Sequence, residues 1–218
     1  RTLNMALGGL REMSLITTPP AERLAVKTFV SEWNDVVIRE ACLREIRRGG
    51  QVYFIHNRVE DIGRIEQRLK KLVPEADIRI GHGQMPEREL EQVMLDFYHR
   101  RFSVLLCTTI VESGIDVPTA NTIIINRADR FGLAQLHQLR GRVGRGPGTS
   151  TCVLLAHGRL SEVAQARLEV MAATEDGFVI AEKDLEIRGP GDFFGTRQWG
   201  MPSFRVAHLV RDRDLLEP

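Results

Sequence analysis

Gln138, Arg142 and Arg145 are spaced i, i+4 and i+7, which on a helix would turn one amide and two guanidiniums to a single face. Clustered guanidiniums suit a phosphate, because each planar fork donates two hydrogen bonds and keeps its charge at any working pH. Gly141 and Gly144 stand among them, and each weakens a helix by up to about 1 kcal/mol relative to Ala. That cost makes sense where another backbone or a ligand comes close. The alternative is a solvated basic helix end, which the glycine spacing argues against.

A second group lies upstream. The run ending in Thr108 and Thr109 leads into a segment holding Glu112, Gly114, Asp116 and Pro118. A strand that ends in two threonines puts hydroxyls and backbone N–H groups at the edge of a sheet where α/β folds bind ligands. The plainer alternative is a βα loop turned by Asp116 and Pro118. His82 and Gly83 hold a similar place between a strand and a helix opening at Pro86, as do Asn57 and Arg58 after an earlier strand. A lone loop histidine also serves as a structural residue.

These residues need a sheet to bring them together, and the pattern provides one. Short β-branched runs at Ala25–Val30, Val52–His56, Ile78–Gly81, Val104–Thr108, Thr122–Asn126 and Thr151–Ala156 alternate with stretches of helical period. That alternation is the signature of βαβ units around a parallel sheet covered by helices on both faces. Helices are expected over Asp35–Arg48, closed by Gly49 and Gly50, over Val59–Leu72, and over Pro86–Arg100, where the proline takes the first helical position. Their charged faces should be solvated. After Ala156 the alternation stops. Two helical segments follow, Leu160–Thr174 and Phe178–Glu186, joined at Asp176 and Gly177, and then a glycine-rich stretch, Arg188–Pro202. A long loop of that kind is functional or disordered. The boundary falls near His157, dividing the chain into a lobe over 1–157 and an appendage over 158–218.

The 218 residues carry 30 Lys and Arg against 29 Asp and Glu, a formal net charge of +1. No whole-molecule field would draw in a polyanion, so any nucleic-acid contact must be a local patch. Cys42, Cys107 and Cys152 stand far apart in apolar contexts, as expected of reduced, buried thiols in a cytoplasmic protein without a membrane span. Arg1 opens in mid-pattern without a methionine, as a piece of something longer would. No Gly-Lys-Ser/Thr phosphate loop occurs, and no strand carries an acidic box for Mg²⁺. The chain by itself should bind no cofactor and hydrolyse little or no ATP.

The run QLRGRVGR is similar to motif VI of superfamily 2 helicases. The resemblance implies a RecA-like lobe in which Arg142 and Arg145 act as fingers on a triphosphate held by a second lobe and Gln138 senses its γ-phosphate. The stretch from Thr108 to Pro118 resembles motif V, which implies DNA-backbone contacts for Thr108 and Thr109 and a nucleotide or coupling role for Glu112, Gly114 and Asp116. His82 and Gly83 resemble a segment that donates to a backbone phosphate, and Gln51–Asp61 occupies the place of motif IV. RTLNMA at the start resembles the end of motif III from a preceding lobe. From there to about residue 146 the wording is close to the Mfd family, the bacterial transcription-repair coupling factors, whereas residues 147–218 read like the RecG family. The join is that of a composite chain or of an unusual natural homologue.

Both families share the hairpin and loop named the TRG motif. Carried over, it implicates Arg167, Arg188 and Gln198 in converting ATP-driven lobe motion into movement along duplex DNA. The resemblance therefore implies the second motor lobe of an ATP-dependent double-stranded DNA translocase in transcription-coupled repair or fork reversal. ATP and Mg²⁺ would be bound only by the two-lobe motor. The partners would be double-stranded DNA, the N-terminal RecA-like lobe and, through other domains, RNA polymerase. The rival readings are a partner-docking or regulatory module and, because motif VI is shared, an RNA helicase.

Overall fold

A computed structural model describes residues 25–110, 117–146 and 148–188. Six strands form one fully parallel sheet: β1 (Val26–Glu32), β2 (Gln51–Ile55), β3 (Ile78–Gly81), β4 (Val104–Cys107), β5 (Ala120–Asn126) and β6 (Ser150–Ala156). Their order across the sheet is β1-β6-β5-β2-β4-β3. All six expected strands form, shifted at their ends by no more than two residues.

The centre of the sheet is dry because both of its faces are covered. Phe54 on β2 pairs with Leu106 on one side and Ile124 on the other. These three pack with Ile38, Ala41 and Cys42 of α1 (Asp35–Arg47) and with Ile62 and Leu69 of α2 (Val59–Leu72). The opposite face meets α3 (Glu87–Tyr98), whose Phe97 ring lies 5.1 Å from that of Tyr53. Fully burying a side chain such as Phe97 or Leu69 contributes about 1.5–3 kcal/mol.

Local chemistry sets the helix ends. The Asn34 side chain accepts from the N–H groups of Val36 and Val37 at 2.9 and 3.3 Å, opening α1. Gly49, at φ +76°, takes the left-handed conformation just past its end. Pro86 lies one residue outside α3 with extended backbone, not at the first helical position. Beyond the sheet's centre lie α4 (Leu133–Arg140), α5 (Glu162–Ala173), opened by Ser161 Oγ accepting from Ala164 N–H at 3.2 Å, and α6 (Gly177–Arg188). A compact unit spans Arg23–Ile180. All three cysteines are buried and unbonded, and burial pushes the Cys42 and Cys152 thiols up to about 12. No helix among the described residues is long and apolar enough to cross a membrane.

Candidate functional site

The strand order makes a crevice. From β2 the sheet continues to β4 and β3 on one side and to β5, β6 and β1 on the other. The carboxyl ends of β2 and β5 therefore flank the point where the connections diverge, which is where open α/β sheets bind ligands. A cavity of about 280 Å³ lies there, walled by Asn57, Arg58, Arg127, Arg130, Phe131 and Gln135. His56 and Asn126 also line it.

Those two belong to an ordered chain of hydrogen bonds. His56, 1 % exposed, donates from Nε2 to Asp61 Oδ1 at 2.7 Å and accepts the Asn126 amide N–H at Nδ1, 2.9 Å away. Asn126 Oδ1 in turn accepts from His157 Nε2 at 2.7 Å. The amide thus fixes the tautomer of both rings. The His56 hydrogen bond holds the Asp61 carboxyl below the ordinary carboxylate range, with Arg58 and Arg127 adding to the effect. Burial holds His157 below the usual imidazole value, and the Arg127 charge adds to it. Arg127 itself, at φ +55°, turns the chain sharply out of β5 into the short 3₁₀ turn Ala128–Arg130.

The same edge carries the upstream residues. Thr109 Oγ1 donates to Asn57 Oδ1 at 3.4 Å, tying the end of β4 to the loop after β2. Thr108 is 7 % exposed, and its N–H donates to Gly81 O at 3.3 Å. His82 donates its N–H to Met85 Sδ at 3.4 Å, and its Nδ1 is buried with no protein partner among the described residues. A Cβ on Gly83 would meet only the Ile110 side chain, at 3.6 Å, so space alone does not demand a glycine there. Glu112, Gly114 and Asp116 lie outside the described residues.

The arginine segment departs from the helical reading. Helix α4 stops at Arg140, so Gln138, Arg142 and Arg145 do not share one helical face. The N–H groups of Arg142 and Val143 bond back three residues, to Leu139 O at 3.0 Å and Arg140 O at 3.2 Å. Gly144 at φ +84° then turns left-handed, a conformation that cannot continue the helix. Gln138 and Arg145 are exposed and Arg142 half-buried, and Arg145 Nε donates to Gly141 O at 3.3 Å. Gly146 is needed for closeness, since a Cβ there would stand 2.1 Å from Pro118 O.

Two further arginines clamp this segment to the next helix. Arg140 is 3 % exposed, and its Nη1 donates to Met171 O and Thr174 O, both at 2.9 Å, at the end of α5. In return Arg167 on α5 donates to Phe131 O in the connection between β5 and α4. The side chain of Arg188 and all of Gln198 lie outside the described residues.

A sequence model of the helicase conserved C-terminal domain matches residues 34–147. The chain belongs to that family. A second model, ATP-dependent DNA helicase RecG, domain 3, C-terminal, matches residues 174–218. The transcription-repair-coupling factor of Escherichia coli (strain K12) is 62 % identical over 205 residues, 92 % of this chain and 18 % of that protein. The factor of Myxococcus xanthus is 53 % identical over the same share of this chain and 17 % of its own length. The chain thus spans about a fifth of the curated relatives it matches. RecG bound to a three-way DNA junction superposes with a TM-score of 0.77 at 37 % identity, over 99 % of this chain and 29 % of that one. The C-terminal domain of the DEAD-box protein Dbp5, at 17 % identity and a TM-score of 0.50 over 71 % of this chain and 88 % of its own, shows the fold alone. The expected RecA-like sheet with helices on both faces, and the expected likeness to both families, are borne out.

Within this helicase lobe, reasoning from spacing missed Arg140 and the group around Asn126. Arg140 sits inside the same run, but one arginine among three carries no local mark of burial. Asn126 did carry a signal: a polar residue closing the apolar run Ile123–Ile125.

Proposed function

We propose that this lobe is the second motor lobe of an ATP-dependent translocase on double-stranded DNA that acts in repair. The observation that carries the reading is the exposed Arg145 with the half-buried Arg142, on a non-helical turn just past a helix clamped from both ends. The sequence holds no phosphate loop, so the triphosphate seat belongs to an N-terminal RecA-like lobe, which also holds Mg²⁺. ATP supplies the phosphoryl group whose developing charge the fingers offset. Arg142 and Arg145 bind and orient that charge from across the cleft, and Gln138 contacts the γ-phosphate. Glu112, Gly114 and Asp116 serve the nucleotide side of the same cleft.

His82, Gly83, Thr108 and Thr109 face the DNA backbone along the carboxyl edge of the sheet. Contacts to phosphates make binding independent of sequence and steeply salt-dependent. The reciprocal bonds of Arg140 and Arg167 make α4 and α5 move together, so displacement of the finger segment reaches the appendage over residues 158–218, where Arg188 and Gln198 belong to the same lever. RNA polymerase is engaged through other domains, and the protein works in the bacterial cytoplasm.

Complementation in trans tests the reading. Mixing this lobe with the N-terminal lobe restores DNA-stimulated hydrolysis, and Arg145→Ala abolishes it. Hydrolysis that survives the substitution removes the finger assignment, and a mixture that never hydrolyses ATP leaves the partner-docking reading in its place. Stimulation by duplex RNA equal to that by duplex DNA selects the RNA helicase reading.

A further inference from the structure

Three neighbouring strands end in a polar side chain where the residue before it is apolar: His56 after Ile55 on β2, Asn126 after Ile125 on β5, and His157 after Ala156 on β6. Strand β5 lies between the other two, and its Asn126 bridges them. The amide N–H donates to His56 Nδ1 at 2.9 Å, and the amide oxygen accepts from His157 Nε2 at 2.7 Å. His56 and Asn126 are each 1 % exposed. An apolar side chain in such a place would be buried without a polar group to satisfy. Directional bonds do something that apolar packing does not. A fully satisfied buried network fixes how the three ends stand relative to one another.

Both ends of this network lead to residues with a role in the motor. On one side Asn57, which follows His56, accepts the Thr109 hydroxyl at 3.4 Å, and Asp61 on α2 anchors His56 Nε2 at 2.7 Å. On the other side the chain leaves Asn126 through Arg127 and the turn Ala128–Arg130 and then enters α4, which ends at the arginine segment. The His157 N–H donates to Asp129 Oδ1 in that turn at 3.2 Å. A cavity of about 280 Å³ separates the loop after β2 from the turn after β5, so movement of one would be absorbed there unless a bond joins the two walls. The His56–Asn126 bond joins them. We propose that Asn126 is a positioning residue: through its two imidazole partners it passes displacement of the strand ends at Thr108 and Thr109 to α4, and so to Arg142 and Arg145, making hydrolysis respond to duplex DNA. The assignment rests on the motor reading given above.

The test uses the full motor carrying this lobe. Asn126→Leu keeps the branched shape of the side chain and removes both bonds. The control, Thr122→Val, removes a buried hydroxyl that donates to Glu45 Oε2 at 2.6 Å, at the opposite end of the same strand. Hydrolysis is measured with and without saturating duplex DNA over a range of ATP concentrations, beside a thermal melt. Coupling between two sites amounts to about 5- to 150-fold, so stimulation by DNA should fall by about 5-fold or more in Asn126→Leu, in kcat and not in the KM for ATP. It should hold in Thr122→Val even where both variants melt lower. His157→Gln keeps a donor for Asn126 Oδ1 and should retain stimulation, whereas His157→Leu should lose it, and this pair decides the matter if Asn126→Leu does not fold. Full stimulation in folded Asn126→Leu overturns the proposal. So do equal losses in His157→Gln and His157→Leu, or a loss in Thr122→Val as large as that in Asn126→Leu, since either would make the network only a support for the fold. All three results leave Arg145-dependent, DNA-stimulated hydrolysis by the parent motor in place. A parent motor whose hydrolysis ignores DNA overturns both readings.

Discussion

Arg140 and Arg145 stand five positions apart in one segment and have opposite surroundings. Arg140 is buried and bonded to the carbonyls of Met171 and Thr174, while Arg145 is exposed on the turn that follows Gly144. The first secures the helix and the second is presented to whatever faces the lobe. A motif of three arginines thus divides into an anchor and, in the function proposed above, a finger, and the division comes from where α4 ends. If the contrast is right, the two positions should fail in different measurements.

The largest effect belongs to the finger. In the assembled motor Arg145→Ala should lower the turnover of DNA-stimulated hydrolysis by about 10³-fold or more, equivalent to about 4 kcal/mol, with the melting temperature nearly unmoved. A parallel loss of thermal stability would show that Arg145 is a second anchor and would erase the contrast. Arg140→Ala should do the reverse. It strands two carbonyls and opens a cavity, for a loss of about 3 kcal/mol seen in denaturant or thermal unfolding. Arg140→Lys, which keeps the charge but not the fork, should recover part of that stability. Unfolding unchanged by Arg140→Ala would mean that the clamp contributes nothing.

Gly146 sharpens the boundary between the two roles. Its absent Cβ is what lets the chain pass Pro118 O, so Gly146→Ala should cost roughly 1–3 kcal/mol in chemical denaturation. The backbone oxygen must shift for the methyl to fit. Full stability in that variant would show that the two segments separate freely.

The smallest effect is a pH dependence at the carboxyl end of β6. His157 titrates below its ordinary value in the folded lobe, so the unfolded chain takes up the proton first. Its contribution is complete above about pH 6.5 and is lost as pH falls through the lower folded value. The Asp61 carboxyl is likewise depressed, with its contribution present above about pH 3.9 and lost in stronger acid. Melting followed from pH 7.5 to pH 5, roughly the range over which an imidazole charges, should decline, and His157→Gln should flatten the curve. An identical decline in the variant would place the titration elsewhere.

Period and composition alone determined the strand and helix alternation, because each signal lies within a window of a few residues. Val59–Leu72 came out at its true limits, and the Gly49 turn was readable from residue type. The residue types and spacing of the arginine run and the lack of a phosphate loop were equally local facts. Only the tertiary structure decided that α4 ends before Arg142, that Arg140 is an anchor, and that residues 56–58 meet residues 126–135 around one cavity. Those outcomes depend on contacts such as His56 to Asn126, 70 positions apart, and on the order in which six strands lie side by side. Nothing in a local window encodes that order, since it follows from which apolar faces bury one another when the whole sheet closes.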